Sequence, residues 1–399
     1  MTERLYYSDS HLIEFNANVI GTRSLGGRQA VLLDRTAFYP ASGGQPHDTG
    51  TLGAARVEEV VEDEDGEVLH FLDMVPPPGE IHGEVDWGRR FDHMQQHTGQ
   101  HILSQAFIQA AGAGTVSFHL GAETSTIDIE LAAPSTDVMK RAEDIASRII
   151  FEDRRVNLIS VDREQQEKLG LRKMSEREGE IRVVEVENFD RSPCGGTHVR
   201  RTGEIGMIAI LGFERYKGGT RIEFVCGGRV LHTFRREHNT LRELGHLLSA
   251  DPLESPRLVE TLRNEKASLG REIGRLQNLL LDAEARELLA ESEDKFGLRL
   301  VSREFSGRTI EEIRLLAQKA AKDPAAVILF ALSQDPAQII IAAGAETGVD
   351  CSASLRETIG LLGGRGGGKP GLAQCGGIPI SDLPAWMEAL RRAVLHGRS

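Results

Sequence analysis

Hydrophobic and polar positions change their period three times along the chain. Up to about residue 88, short apolar runs at 29–33, 55–61 and 68–71 are broken by Gly, Pro and Asp turns, which predicts strands of a small β-barrel or sheet. Asp92 and Gln95 then read as a capping-box start to a helix that runs through Ala110 and closes near Gly112. Gly99 inside that helix is unfavourable by roughly 1 kcal/mol against Ala, so it marks a close approach by backbone or ligand. Val116, Phe118 and Leu120 alternate with Ser117 and His119, and Ile127, Ile129 and Leu131 with Thr126, Asp128 and Glu130, as in a half-buried hairpin. A helix from Ser135 carries Val138, Ala142, Ile145 and Ile149 on one face, and strands recur at 181–186, 207–211 and 221–226. The region from 89 to 245 is therefore expected to be α+β, with helices packed on an antiparallel sheet.

From about 256 to 290 the pattern becomes heptad, with Val259, Leu262, Lys266, Leu269, Ile273, Leu276, Leu280 and Ala283 at core positions. A helix of ~35 residues is ~50 Å long, enough for a linker over 246–295 that pairs within the chain or in a homodimer. Lys266 in the seam weakens a dimer. The remainder, 296–399, reads as α/β, with buried strands at 325–332 and 338–343 and helices at 354–362 and 384–395.

Composition narrows the functional classes. The chain has 399 residues, 40% hydrophobic and 27% charged, which fits a globular protein of two to four domains. No apolar run approaches membrane-spanning length and the N-terminus has no signal core, so a cytoplasmic protein without membrane contact is expected. Four cysteines without a CxxC pair are expected to stay reduced. A net charge of −13 and a pI near 5.5 argue against general coating of nucleic acid by counterion release. RNA contact would have to be local, at Arg200-Arg201, at 215–221, or at Arg365 with Lys369; each patch also reads as solvated surface charge.

Two clusters with the same x3 spacing carry the chemistry. His97-Thr-Gly-Gln-His101 places two imidazoles one turn apart on a helix face. Cys194-Gly-Gly-Thr-His198 sets a thiolate and an imidazole on a glycine turn, and a Cys/His set suits zinc. His93 extends the same helix face as a group supporting the ligands, a substrate group or an exposed helix-start histidine. His119, on the polar side of its strand, is a further candidate. Thr98 stands where a zinc protease has its general-base Glu, which disfavours peptide hydrolysis. Gly363-x4-Gly368-Lys369 begins like a phosphate loop, but Pro370 replaces the hydroxyl residue that would hold magnesium. Cys194 with His198 as nucleophile and base remains open beside ligation.

These segments resemble one family. The pairing of His97-Thr-Gly-Gln-His101 with Ser192-Pro-Cys-Gly-Gly-Thr-His198 is similar to the editing domain of alanyl-tRNA synthetases and their free-standing relatives. Thr36-Ala-Phe-Tyr-Pro through Gly43-Gly-Gln-Pro resembles the glycine-rich motif ahead of that domain. Gly363 through Gly377 resembles the signature of the synthetase's C-terminal DHH-associated domain. No aminoacylation domain precedes these motifs, so the resemblance is to the long free-standing form.

The resemblance implies a deacylase that hydrolyses serine, and in some cases glycine, from mischarged alanine tRNA. It implies Zn2+ on His97, His101, Cys194 and His198. It points to Thr36, Gly43, Gly44, Gln45 and His119 around the substrate, with Thr36 the partner of the serine hydroxyl. Arg365 and Lys369, on a glycine loop expected to be flexible, would meet tRNA phosphates. The competing expectations are a zinc-stabilised tRNA-binding accessory without hydrolysis and a threonyl-type editing enzyme.

Overall fold

The computed structural model of the chain describes residues 2–172 and 180–396. Met1–Leu247 and Leu248–Ser399 form two compact units, each with its own core. The protein is mixed α+β, with a six-stranded closed barrel and several further sheets.

In the first unit β1 (Glu3–Arg4) pairs in parallel with β4 (Arg35–Thr36) beside the barrel. The barrel strands are β2 (Glu14–Leu25), β3 (Arg28–Leu33), β5 (Gly50–Leu52), β6 (Ala55–Glu62), β7 (Val68–Leu72) and β8 (Gly79–Val85), closed in the order β2-β3-β7-β6-β5-β8. Strict alternation along β2 turns Phe15, Ala17 and Val19 inward, where they meet Val31, Leu33, Phe38, Val57 and Val68. The expected N-terminal barrel is thus present.

Helix α1 (Trp87–Ala111) starts earlier than its sequence suggests: Asp86, not Asp92, is the cap, its side chain accepting from the Arg89 amide. Asp92 lies within the helix and is instead paired with Arg229 at 2.6 Å. Gly112 closes α1 at φ 65°, a left-handed position that glycine adopts without strain. Strands β9 (Thr115–Leu120) and β10 (Ser125–Ile129) form the expected hairpin. Helix α2 (Thr136–Phe151) is capped by Ser135. Next come β11 (Val156–Val161), α3 (Arg163–Lys168), β12 (Ile181–Val186) and β13 (Asp190–Pro193), the three strands making an antiparallel sheet. Strands β14 (Ile208–Tyr216) and β15 (Gly219–Cys226) join the hairpin in a second sheet, β14-β15-β10-β9, and α4 (Gly228–Leu248) follows. Apolar faces of α1 and α2 close over these sheets around Ile102, Phe107, Ile149, Ile222 and Phe224.

The second unit begins with α5 (Ser255–Ala290), one unbroken helix over the heptad segment. Its last turns bury Ala285 and Leu288, whereas Val259, Leu262, Leu269, Ile273, Leu276 and Leu280 are exposed. A six-stranded sheet is built from β16 (Glu293–Lys295), β17 (Leu298–Phe305), β18 (Ala326–Leu332), β19 (Ala337–Ala343), β20 (Arg365–Lys369) and β21 (Leu372–Ile378), in the order β16-β17-β18-β19-β21-β20. Only β17 and β18 run parallel among these pairs. Val327 and Leu329 of β18 face α7 (Cys351–Leu362) and α8 (Leu383–Leu395), while Ile328 and Phe330 face α6 (Ile310–Ala320). That explains a strand with no polar position.

One expectation is corrected here. The glycine-rich segment around Arg365 and Lys369 is not a flexible loop but the edge strand β20, hydrogen-bonded to β21. A Cβ on Gly366 or Gly368 would come within 2.4 Å of the β21 backbone at Gln374 or Leu372 and Ala373. The alternating glycines therefore allow close strand approach rather than mobility.

Candidate metal centre

All four candidate ligands converge. His97 and His101 project from α1, and Cys194 and His198 come from the turn that leaves β13; their ligating atoms lie within 4.8 Å of one another. The Cys194 Sγ is 3.3 Å from His97 Nε2 and 3.3 Å from His198 Nε2. With zinc–nitrogen bonds of ~2.0–2.1 Å and zinc–sulfur of ~2.3 Å, a tetrahedral edge is about 3.5 Å, so the donor set and its two 3.3 Å edges at Cys194 suit a zinc-sized ion. The three histidines are buried at 2%, 4% and 2% exposure, so water cannot replace a lost ligand easily.

Each imidazole is anchored through its far nitrogen. His97 Nδ1 is 2.7 Å from Gln45 Oε1, His198 Nδ1 3.1 Å from Thr98 Oγ1, and His101 Nδ1 3.4 Å from Asp190 Oδ2. The Gln45 amide is oriented by Thr197, whose N–H donates to Oε1 and whose hydroxyl accepts from Nε2. Amide-carbonyl and carboxylate oxygens only accept, so on His97 and His101 Nδ1 is the donor and Nε2 is turned to the centre, whereas the Thr98 hydroxyl, which accepts from the Val199 amide, can donate to His198 Nδ1. Asp190 is held in turn by Arg172 at 2.9 Å and by the Ser192 hydroxyl at 3.0 Å.

The electrostatics follow from this packing. Burial pushes the Cys194 thiol up, but the imidazoles of His97 and His198 and hydrogen bonds from His101 and His198 outweigh it, holding the thiol well below its usual range. Burial pulls His198 down to about 3. For His101 burial acts downward too, yet Asp190 and Cys194 leave it raised. Asp190 resists burial through His101 and Arg172 and stays below the usual carboxylate range.

Glycines set the approach distances. A Cβ on Gly196 would lie 2.1 Å from His97 Cε1, so that turn can pass the ligand only without a side chain. Gly99 admits not a ligand but Cys226, whose Sγ would be 2.3 Å from a Cβ there. Gly43 and Gly44 have φ of 55° and 85° and close the Ser42–Gln45 turn that delivers Gln45. Gly44 lies on β9, accepting from the Leu120 amide at 3.0 Å.

The other candidates divide. Thr36 has zero exposure; its hydroxyl is 2.9 Å from His70 Nε2 and accepts from the Phe38 amide at 3.1 Å. His119 is exposed and turned away, because its neighbour Phe118 places its ring 5.0 Å from that of His97 and successive strand side chains take opposite faces. His93 is buried at 4% exposure rather than at an exposed helix start, and burial lowers it to about 4. Arg365 and Lys369 are exposed on β20, in the other unit. Cys375 is buried at 1%, as a small core residue. Sequence reasoning missed Thr98, Asp190 and Arg172 as anchors, and it missed Arg90. That side chain is fully buried against Asp48 and donates to the carbonyls of Ser10 and Ala37 at 2.8 and 2.6 Å, fastening α1 to the glycine-rich loop.

A closed barrel and a buried set of three histidines and one cysteine that could hold a metal thus share the first unit. The family described as "Threonyl and Alanyl tRNA synthetase second additional domain" matches residues 181–223, from β12 through the Cys/His turn into β15. The alanyl-tRNA editing protein AlaX-L of Pyrococcus horikoshii is 32% identical over 387 residues, covering 94% of this chain and 94% of that protein. Alanine–tRNA ligases of Methanoculleus marisnigri and Pyrococcus abyssi are 36% and 31% identical over 99% and 98% of this chain. The chain spans only 44% and 43% of those ligases. The C-Ala domain of Aquifex aeolicus alanyl-tRNA synthetase aligns with 26% of this chain and 96% of that domain at 26% identity and a TM-score of 0.24. The chain belongs to the alanyl-tRNA editing proteins, relatives of alanyl-tRNA synthetase. Among the described residues no helix is long and apolar enough to cross a membrane.

Proposed function

We propose that this protein is a zinc-dependent deacylase that hydrolyses the ester of alanine tRNA mischarged with serine. The observation that carries the reading is the buried set of His97, His101, Cys194 and His198, each imidazole tied at Nδ1 so that Nε2 faces one point. Zinc held there would supply a Lewis acid towards which the lone pair of the substrate's neutral amino group, or a hydroxyl of the terminal ribose, could orient. Four protein donors close a tetrahedral site, which supports orientation of the substrate over activation of water at the ion. An ester is already reactive, so holding water and acyl group in register supplies much of the rate.

Substrate choice is assigned to Thr36. His70 Nδ1 lies 3.2 Å from the Val31 carbonyl and must donate to it, so Nε2 accepts and the Thr36 hydroxyl donates its proton there. One lone pair of Thr36 Oγ1 remains for the serine hydroxyl; alanine, lacking that hydroxyl, cannot use it. Thr36 is fully buried, so its neighbours must open before an acyl group can reach it. Arg365 and Lys369 are assigned to tRNA phosphates, and the exposed apolar face of α5 supports a homodimer through that helix.

Release of labelled serine from mischarged alanine tRNA tests the reading. Wild type should release it. Chelation or Cys194→Ala should cut the rate by about 100-fold. Thr36→Val should erode the preference for serine over alanine by about tenfold. Tight tRNA binding without release would point to the accessory reading, and preference for serine on threonine tRNA to the threonyl type.

A further inference from the structure

Arg182, the second residue of β12, reaches the back of the metal-binding turn. Its Nη1 donates to the carbonyls of Cys194 at 2.9 Å and Gly196 at 2.7 Å, and its Nε donates to the Tyr7 carbonyl at 3.2 Å. These carbonyls straddle Gly195, so one planar guanidinium fixes both sides of the ligand turn and ties it to the N-terminal segment. Three acceptors use Nε and Nη1. The two protons on Nη2 have none: that nitrogen is inaccessible to solvent and without an acceptor among the described residues.

A buried, charged donor left unpaired is unfavourable, and proteins rarely keep one without a use. A second orphan lies in the same cluster. The Tyr6 hydroxyl, at zero exposure, also lacks a partner among the described residues; its ring contacts Tyr7 at 4.9 Å and Tyr39 at 5.3 Å, and the Arg182 guanidinium lies 5.5 Å from the Tyr7 ring. The turn itself passes within reach of this group, since a Cβ on Gly195 would be 3.7 Å from the Tyr7 hydroxyl. One unpaired donor and one unpaired hydroxyl therefore lie in the cluster behind the metal-ligand turn, and an oxygen acceptor that reaches Nη2 would satisfy the charged donor.

We infer that Arg182 is both the positioning residue for Cys194 and a substrate-binding residue, its free Nη2 donating to an oxygen on the acylated 3′ end of the tRNA. The inference rests on the deacylase reading above. Two oxygens on that end have the required chemistry: the carbonyl of the scissile ester and a phosphate of the last nucleotides.

The test uses the full chain with Arg182→Lys and Arg182→Gln. Metal stoichiometry is measured by elemental analysis, seryl release by steady-state kinetics, and affinity with a minihelix carrying serine through a non-hydrolysable amide. Gln can still donate to one turn carbonyl, so both variants should keep their metal while release falls by about 100-fold. Lys, a single point charge, should not restore it. A fall in kcat with minihelix affinity unchanged assigns Nη2 to the ester carbonyl. A loss of about tenfold in affinity with kcat unchanged assigns it to a phosphate. If either variant retains wild-type kcat and affinity, or if loss of metal alone accounts for the loss of release and reloading restores it, Arg182 is only a structural clip and the inference is overturned. Should Gln fail to fold, Lys alone decides. Wild type that releases no serine sinks the deacylase reading itself, and this inference with it.

Discussion

His70 shows how one buried side chain couples the barrel to pH. Burial pushes its pKa down to about 4, and the hydrogen bond to Val31 only partly opposes this. In the unfolded chain the value is near 6.5, so between those two values the unfolded state binds the extra proton. The stability that neutral His70 preserves is complete above about pH 6.5 and is lost as pH falls towards 4, by at most roughly 3 kcal/mol. His70→Asn can keep a donor for Val31 while removing the titration. Between pH 7 and 4.5 the wild type should lose on the order of 2 kcal/mol more than this variant in urea unfolding; equal losses would show that His70 is not held neutral. At this scale the pairing of His97 with His101 was legible from spacing, since positions 97 and 101 must share a helix face. The anchors were not: Gln45 reads as a substrate-side residue of its loop, Thr98 only as a missing Glu, and Asp190 carries no local signal at all. Such partners lie 52, 100 and 89 positions from their histidines and leave no local pattern.

Helix α1 carries the site because it can approach β15 without a side chain at Gly99. Gly99→Ala should improve helix propensity by up to about 1 kcal/mol, yet the clash with Cys226 opposes it with an overpacking cost of about 1–3 kcal/mol. Removing the obstructing sulfur should reverse the sign. Gly99→Ala in a Cys226→Ala background should therefore be less destabilising than in the native chain by more than 1 kcal/mol, a coupling that a double-mutant cycle reads from denaturation midpoints. Additive effects would mean the helix and strand shift apart freely. The pattern along the chain predicted this helix and the β9–β10 hairpin because their periods are local. It misplaced the helix start because Asp92 and Asp86 both precede plausible first turns, and only the latter has its side chain free to accept from the backbone. It misread β20 for a similar reason: glycine repeats signal absence of side chains, and whether that absence serves mobility or close strand pairing is decided by the neighbour, here β21.

At the scale of the whole molecule, the candidate centre and the candidate tRNA contacts belong to different compact units. Every ligand and anchor lies in Met1–Leu247, whereas α5, Arg365 and Lys369 lie in Leu248–Ser399. With a net charge of −13, RNA binding must depend on where cations are concentrated rather than on overall attraction. The heptad pattern disclosed α5 as a helix but not that its last turns are built into the second core, a long-range fact that periodicity does not encode. A chain ending at Leu248 retains the barrel, both antiparallel sheets of the first unit and all four ligands, so it should fold and bind metal. We expect it to hydrolyse a short seryl minihelix within about threefold of the full chain, because all four candidate ligands lie in the first unit. Binding of full-length tRNA should weaken by at least about tenfold and become less sensitive to salt, as phosphate contacts from the second unit are lost. Sedimentation should find the shortened chain monomeric if α5 is the pairing surface. Retained metal with collapsed minihelix hydrolysis would overturn this division, because it would require the second unit to shape the reacting centre rather than to hold the tRNA body.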